Sequence, residues 1–78
     1  MPRFYFHIRD GEKIIADMEG IEMKSARAAL EEAKAAAREI LASKGLRNEV
    51  IDGQEFEVQD VLGTTLFTVP YKSVLKLE

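Results

Sequence analysis

Phe4, Phe6 and Ile8 alternate with Tyr5, His7 and Arg9, the period-two pattern of a strand with one face turned to a core. Asp10-Gly11 follows as a hairpin signal, and Lys13 to Ala16, short and β-branched, reads as the return strand. Asp17 to Lys24 reads as a connection centred on Gly20. From Ser25 to Lys44 the period changes to that of a helix. At about 100° per residue, Ala26, Leu30, Ala33, Ala37, Ile40 and Leu41 share one side, while Arg27, Glu31, Lys34 and Arg38 share the other. Ser25 is placed to cap this helix, and Lys44-Gly45-Leu46 predicts a stop with Gly45 left-handed and Leu46 folded back on Leu41.

After a polar connection from Leu46 to Gly53, Glu55 to Asp60 alternates again, with Phe56 and Val58 inward and Glu55, Glu57 and Gln59 outward. Val61-Leu62-Gly63 holds a turn, and Thr64 to Tyr71 is the last strand. Pro70 cannot donate to a ladder, so it marks that strand's end or an edge position. The tail from Lys72 to Glu78 allows a short final turn of helix. The predicted fold is α+β, a two-layer β-β-α-β-β arrangement: a mainly antiparallel four-stranded sheet with one long helix, residues 25–44, on one face. The order in which the two hairpins join is not legible.

The inner side of the helix is small at Ala33 and Ala37, so the bulk of the core must come from Phe4, Phe6, Phe56 and Phe67 on the sheet. A two-residue turn at Asp10-Gly11 pairs Phe6 with Ile15 and His7 with Ile14, whereas a three-residue loop pairs Ile8 with Ile14. In the second hairpin, Val58 opposite Phe67 and Phe56 opposite Val69 put Leu66 on the outer face. One helix covers one face only. With the two-residue turn, the other face carries Tyr5, His7, Ile14 and Leu66, more apolar than a free sheet face usually is, and reads as a partner surface.

Seventy-eight residues make a single domain, residues 1–78, with a thin core. No cysteine is present to staple it, so association with another subunit is the remaining source of added stability. The absence of cysteine fits the cytoplasm, no secretory signal is visible, and no apolar run reaches membrane-spanning length. A net charge of −3 with both signs interspersed lacks the basic footprint of duplex binding, so nucleic acid is not an expected partner.

Candidate chemistry is sparse. His7 is the single histidine, and a general acid or base needs an orienting carboxylate and a pocket that the pattern does not supply. Asp17, Glu19 and Glu22 offer oxygen ligands for a divalent metal, but without the spacing of a known loop; acids before a helix start also suit the helix dipole. Glu49, Asp52, Glu55, Glu57 and Asp60 make the second hairpin acidic, either a dock for a basic partner or a solvated face. Tyr5 and Phe6 beside Arg3 and Arg9 suggest a stacking platform for single strands, against which stand the opposite directions of neighbouring strand residues and the negative charge. No phosphate loop, dinucleotide fingerprint, nucleophile elbow or zinc-protease motif occurs. No catalytic residue and no cofactor are therefore assigned.

The opening MPRFYFHIRDGE, the D-x-E-G of Asp17 to Gly20, A-R-A-A-L-E-E-A from Ala26 to Ala33, and F-E-V-x-D…L-F-T-V-P between Phe56 and Pro70 resemble a family of small bacterial proteins. Its members share an M-P-x-[FY]-[FY]-F-H start and a D-G turn and have no assigned function. The resemblance implies a shared fold and carries over no catalytic residue, cofactor or partner.

The leading expectation is a non-enzymatic module that forms a homodimer or binds a protein through the outer sheet face. An antitoxin-like regulatory partner of a nucleic-acid-acting protein is a second reading, by fold-level analogy. A small-ligand or metal-binding domain using Asp17, Glu19 and Glu22, or a pocket by His7, is a third.

Overall fold

The computed structural model describes residues 1–46 and 53–74. Most of the predicted connection after the helix, Glu49 and Asp52 among it, and the last four residues of the tail lie outside the described residues. The elements run β1 (Arg3–Asp10), β2 (Lys13–Ile15), β3 (Ile21–Glu22), α1 (Ala26–Leu46), β4 (Gln54–Gln59), β5 (Thr65–Pro70) and a 3₁₀ turn at Tyr71–Val74. The fold is α+β, as the alternation and the change of period imply. All strand pairings are antiparallel, and the sheet order is β2-β1-β4-β5, with β3 also on β1. The two hairpins therefore join through their first strands, and β1 and β4 are central.

Helix α1 starts as its sequence indicates. The Ser25 hydroxyl accepts the N–H of Ala28 at 3.1 Å, satisfying one donor of the first turn. Ala29, Ala33, Ala37 and Leu41 are buried in a line one turn apart, against Phe4, Phe56, Val58, Val69 and Tyr71. Alanines let the helix lie close to the sheet, and the aromatic rings fill the layer between. Phe6 and Phe67, also expected in the core, are only half-buried and pack on its margin. Tyr71, read from sequence as the end of a strand, is instead one of the most deeply buried side chains, its ring 5.1 Å from that of Phe56. Burial raises its phenol above the ordinary range, and the charge of Asp10 adds to the effect.

Three further expectations need correction. First, the helix runs through Gly45 to Leu46, so Gly45 is helical and does not form the predicted left-handed stop. Second, the Asp17–Lys24 connection contains β3, whose two residues pair with Arg3 and Phe4. Third, neither register considered for the first hairpin is adopted: Ile8 pairs with Ile15, Arg9 with Ile14 and Asp10 with Lys13. Asp10 stays in the ladder, held also by Gln54 Nε2 on its Oδ2 at 3.2 Å, and the two-residue loop is Gly11-Glu12. Gly11 opens that loop at a φ of 64°, a value that costs glycine nothing. A displacement of two residues leaves every side chain on its face. Ile14 is still on the face opposite the helix, now beside Arg9.

The second hairpin has the expected register, with Phe56 opposite Val69 and Val58 opposite Phe67. A bulge then interrupts it, because Gln59 pairs with Thr65 and Leu66 is left without a cross-strand partner. Leu66 is exposed at that bulge, two residues before Thr68, and has no residue opposite it in the ladder. No helix among the described residues is long and apolar enough to cross a membrane.

Candidate functional site

Alternation along the two central strands sets the composition of the face that α1 does not cover. Phe4, Phe6 and Ile8 point to the helix, so Arg3, Tyr5, His7 and Arg9 point away. Their partners across the ladder, Gln59 for Tyr5, Glu57 for His7 and Glu55 for Arg9, share that open face, followed by Thr68 opposite Glu57 and Pro70 opposite Glu55. The face is thus more polar than its predicted members Tyr5, His7, Ile14 and Leu66 suggest. The alternation of β4 had already put Glu55, Glu57 and Gln59 outward; the strand order brings them next to β1.

Most of these polar groups are paired within the face. Arg9 Nε donates to Glu57 Oε2 at 2.7 Å. That hydrogen bond and the charge of Glu57 raise the Arg9 pKa further, with Glu55 contributing more weakly. Gln59 Nε2 donates to the Thr65 hydroxyl at 3.3 Å. The rings of Tyr5 and His7 lie nearly parallel, 8° apart in plane and 6.2 Å between centroids.

At one border of this face the D-x-E-G segment is fastened to β1. Between the pairing of β3 and that of β2, the middle of β1 has no neighbouring strand on this side. Asp17 occupies the gap. Its Oδ2 accepts the N–H of Phe6 at 3.1 Å, and its Oδ1 accepts the N–H groups of Glu19 at 3.2 Å and Gly20 at 3.0 Å. Its own N–H donates to Nδ1 of His7 at 3.0 Å, which assigns the ring proton of neutral His7 to Nε2. Partial burial pushes the Asp17 carboxyl up, but the three backbone donors and His7 outweigh it and hold the carboxyl below its ordinary value.

Gly20 completes the fastening. It has a φ of 71°, and a Cβ there would meet Arg3 Cγ, the Phe4 carbonyl and the Tyr5 ring, each at 2.9 Å. The Arg3 guanidinium wraps the same turn, donating to the Glu19 carbonyl at 2.8 Å and reaching Glu22 at 3.3 Å. The segment is a turn built to close a strand edge.

Of the residues singled out in the sequence, Tyr5, His7 and Ile14 do share the open face. Asp17, Glu19 and Glu22 do not converge: Asp17 is turned to backbone donors and Glu22 to Arg3. No group of three or more potential metal ligands, and no cavity, occurs among the described residues. Arg9 was read only beside Arg3 in a stacking platform and Gly20 only as the centre of a connection; the pairing of Arg9 with Glu57 and the close approach at Gly20 were not read, although Gly20 in the quoted D-x-E-G was a visible signal.

A family model described as a domain of unknown function, DUF6894, matches residues 3–72. No curated protein and no solved structure gives a significant match.

Proposed function

From the membership of this chain in the DUF6894 family, which covers nearly all of it and assigns no activity, we propose a cytoplasmic, non-enzymatic module that docks a protein partner on its open sheet face. The observation that carries this reading is the lateral pairing of that face. Removing water from a polar surface is costly when donors and acceptors are left without partners. Here Arg9 already has Glu57, Gln59 has Thr65, and Tyr5 lies beside His7, so a partner can cover the centre of the face at a smaller desolvation cost. Glu55 and Glu57 against Arg9 leave the centre mildly acidic, which suits a neutral to basic partner surface.

The test compares capture by the wild-type chain with capture by Glu55→Arg on the open face and Glu31→Arg on the exposed side of the helix, each verified as folded by circular dichroism. A specific protein kept by Glu31→Arg, lost by Glu55→Arg, and protecting Tyr5 from radical footprinting supports the proposal. Loss by Glu31→Arg alone, or footprints confined to the helix, overturns it.

A further inference from the structure

We propose that two copies of this chain pair antiparallel along β5 about a two-fold axis at Thr68, making one continuous sheet. This concerns an edge of the sheet and is independent of the function proposed for its face.

The direction of the main-chain groups follows from the ladder. The N–H of Phe6 points away from β4, because it is bonded to Asp17. In an antiparallel ladder such directions alternate, so Tyr5, His7 and Arg9 turn their groups toward β4. Their partners Gln59, Glu57 and Glu55 turn back toward β1, while Phe56 and Val58 turn toward β5. Val69 and Phe67 answer them. Thr68, between these two, therefore presents its N–H and C=O to the open side of β5, where no strand follows among the described residues.

This edge is unlike the other. On the far side of the sheet, the edge is divided between three residues of β2 and two of β3, with the Asp17 turn between them. β5 is continuous over six residues and carries no charge, whereas β1, β2, β3 and β4 each carry at least one. Charged side chains are a usual protection of a strand edge against another chain. Among the described residues, protection at β5 sits at its two ends, as the bulge at Leu66 and the missing N–H of Pro70. What remains open between them is centred on Thr68.

A second copy is the occupant that this pattern fits. With the axis at Thr68, the two threonines exchange a pair of N–H···O=C bonds. On the helix side Phe67 of each copy faces Val69 of the other, extending the apolar layer. On the open side the two Thr68 side chains meet, and Leu66 and Pro70 flank the pair. A two-fold axis sets each residue near the axis against its own kind, which penalises a charged strand and leaves an uncharged one unpenalised.

Sedimentation of the whole chain at increasing concentration, with three variants, tests the proposal. Thr68→Pro removes an N–H that the β4 ladder does not use, and is expected to abolish the dimer while the fold persists. Thr68→Lys and Thr68→Asp each set like charges across the axis and are expected to weaken association at least tenfold. Mixing those two is expected to restore it as a heterodimer, which a general loss of structure would not do. A wild-type chain that stays monomeric to millimolar concentration overturns the proposal. So does a dimer that persists in Thr68→Pro and in both charged variants, since it must then use another surface.

Discussion

The N–H of Phe6 donates to Oδ2 of Asp17 at 3.1 Å, so a side chain eleven residues away completes the part of β1 that β2 and β3 leave unpaired. A strand edge with a buried or half-buried free donor is costly. The same carboxylate also closes its own turn on Glu19 and Gly20. Asp17 therefore couples local turn chemistry to the central strand, and with it to the position of His7 and Tyr5.

Asp17→Ala removes an acceptor of three backbone donors and is expected to lower stability by about 2–3 kcal/mol. Asp17→Asn keeps one acceptor oxygen and is expected to cost roughly half of that. Urea unfolding of both variants measures the difference. An Asp17→Ala chain as stable as wild type would show that the carboxylate does not fasten the segment.

The carboxyl of Asp17 has a lowered folded-state pKa, so its contribution is fully present above the unfolded value, about 4. It is lost as pH falls through the folded value. Wild-type stability should thus drop more steeply than that of Asp17→Asn below about pH 4. Thermal unfolding from pH 6 to pH 2 checks this; parallel curves would assign the acid sensitivity elsewhere.

Gly20→Ala combines a left-handed backbone with contacts of 2.9 Å to Arg3, the Phe4 carbonyl and Tyr5. A cost of roughly 2–4 kcal/mol is expected. Gly11→Ala has a similar φ but open space around it, and should cost only about 1 kcal/mol. Comparing the two in one unfolding series separates backbone strain from close approach.

Ala33 is fully buried beneath the centre of the sheet contact. Ala33→Leu overfills that space and is expected to destabilise by about 3 kcal/mol. Ala42→Leu, exposed on the same helix, should stay within about 0.5 kcal/mol of wild type. Equal effects would mean that the helix does not rest on the sheet through its alanines.

Much of the architecture was legible because it is local and periodic. Phe56, Val58, Phe67 and Val69 set the register of the second hairpin by themselves, since a slip of one residue would turn Phe67 and Val69 outward while Phe56 and Val58 stay inward. The helix announced itself through Ser25 and the alanine stripe. The turn of the first hairpin was misplaced by one residue, because Asp10-Gly11 can sit in the loop or across its border, and in the folded chain Asp10 lies in the ladder opposite Lys13. Of the candidate face, Tyr5, His7 and Ile14 were readable from alternation, but the pairing of Arg9 with Glu57 was not. It joins side chains 48 residues apart and exists only once β1 lies beside β4.

The amino-acid sequence alone determined β1, β2, β4, β5 and the body of α1, which side of each is apolar, and that a single helix leaves a sheet face uncovered. These properties depend on spacing and propensity within short windows. Tertiary structure alone decided the strand order, the use of Asp17 as a substitute for a missing strand, the burial of Tyr71 and the free direction of Thr68 on β5. Each of those depends on which distant segments become neighbours, and short-range patterning carries no information about that choice.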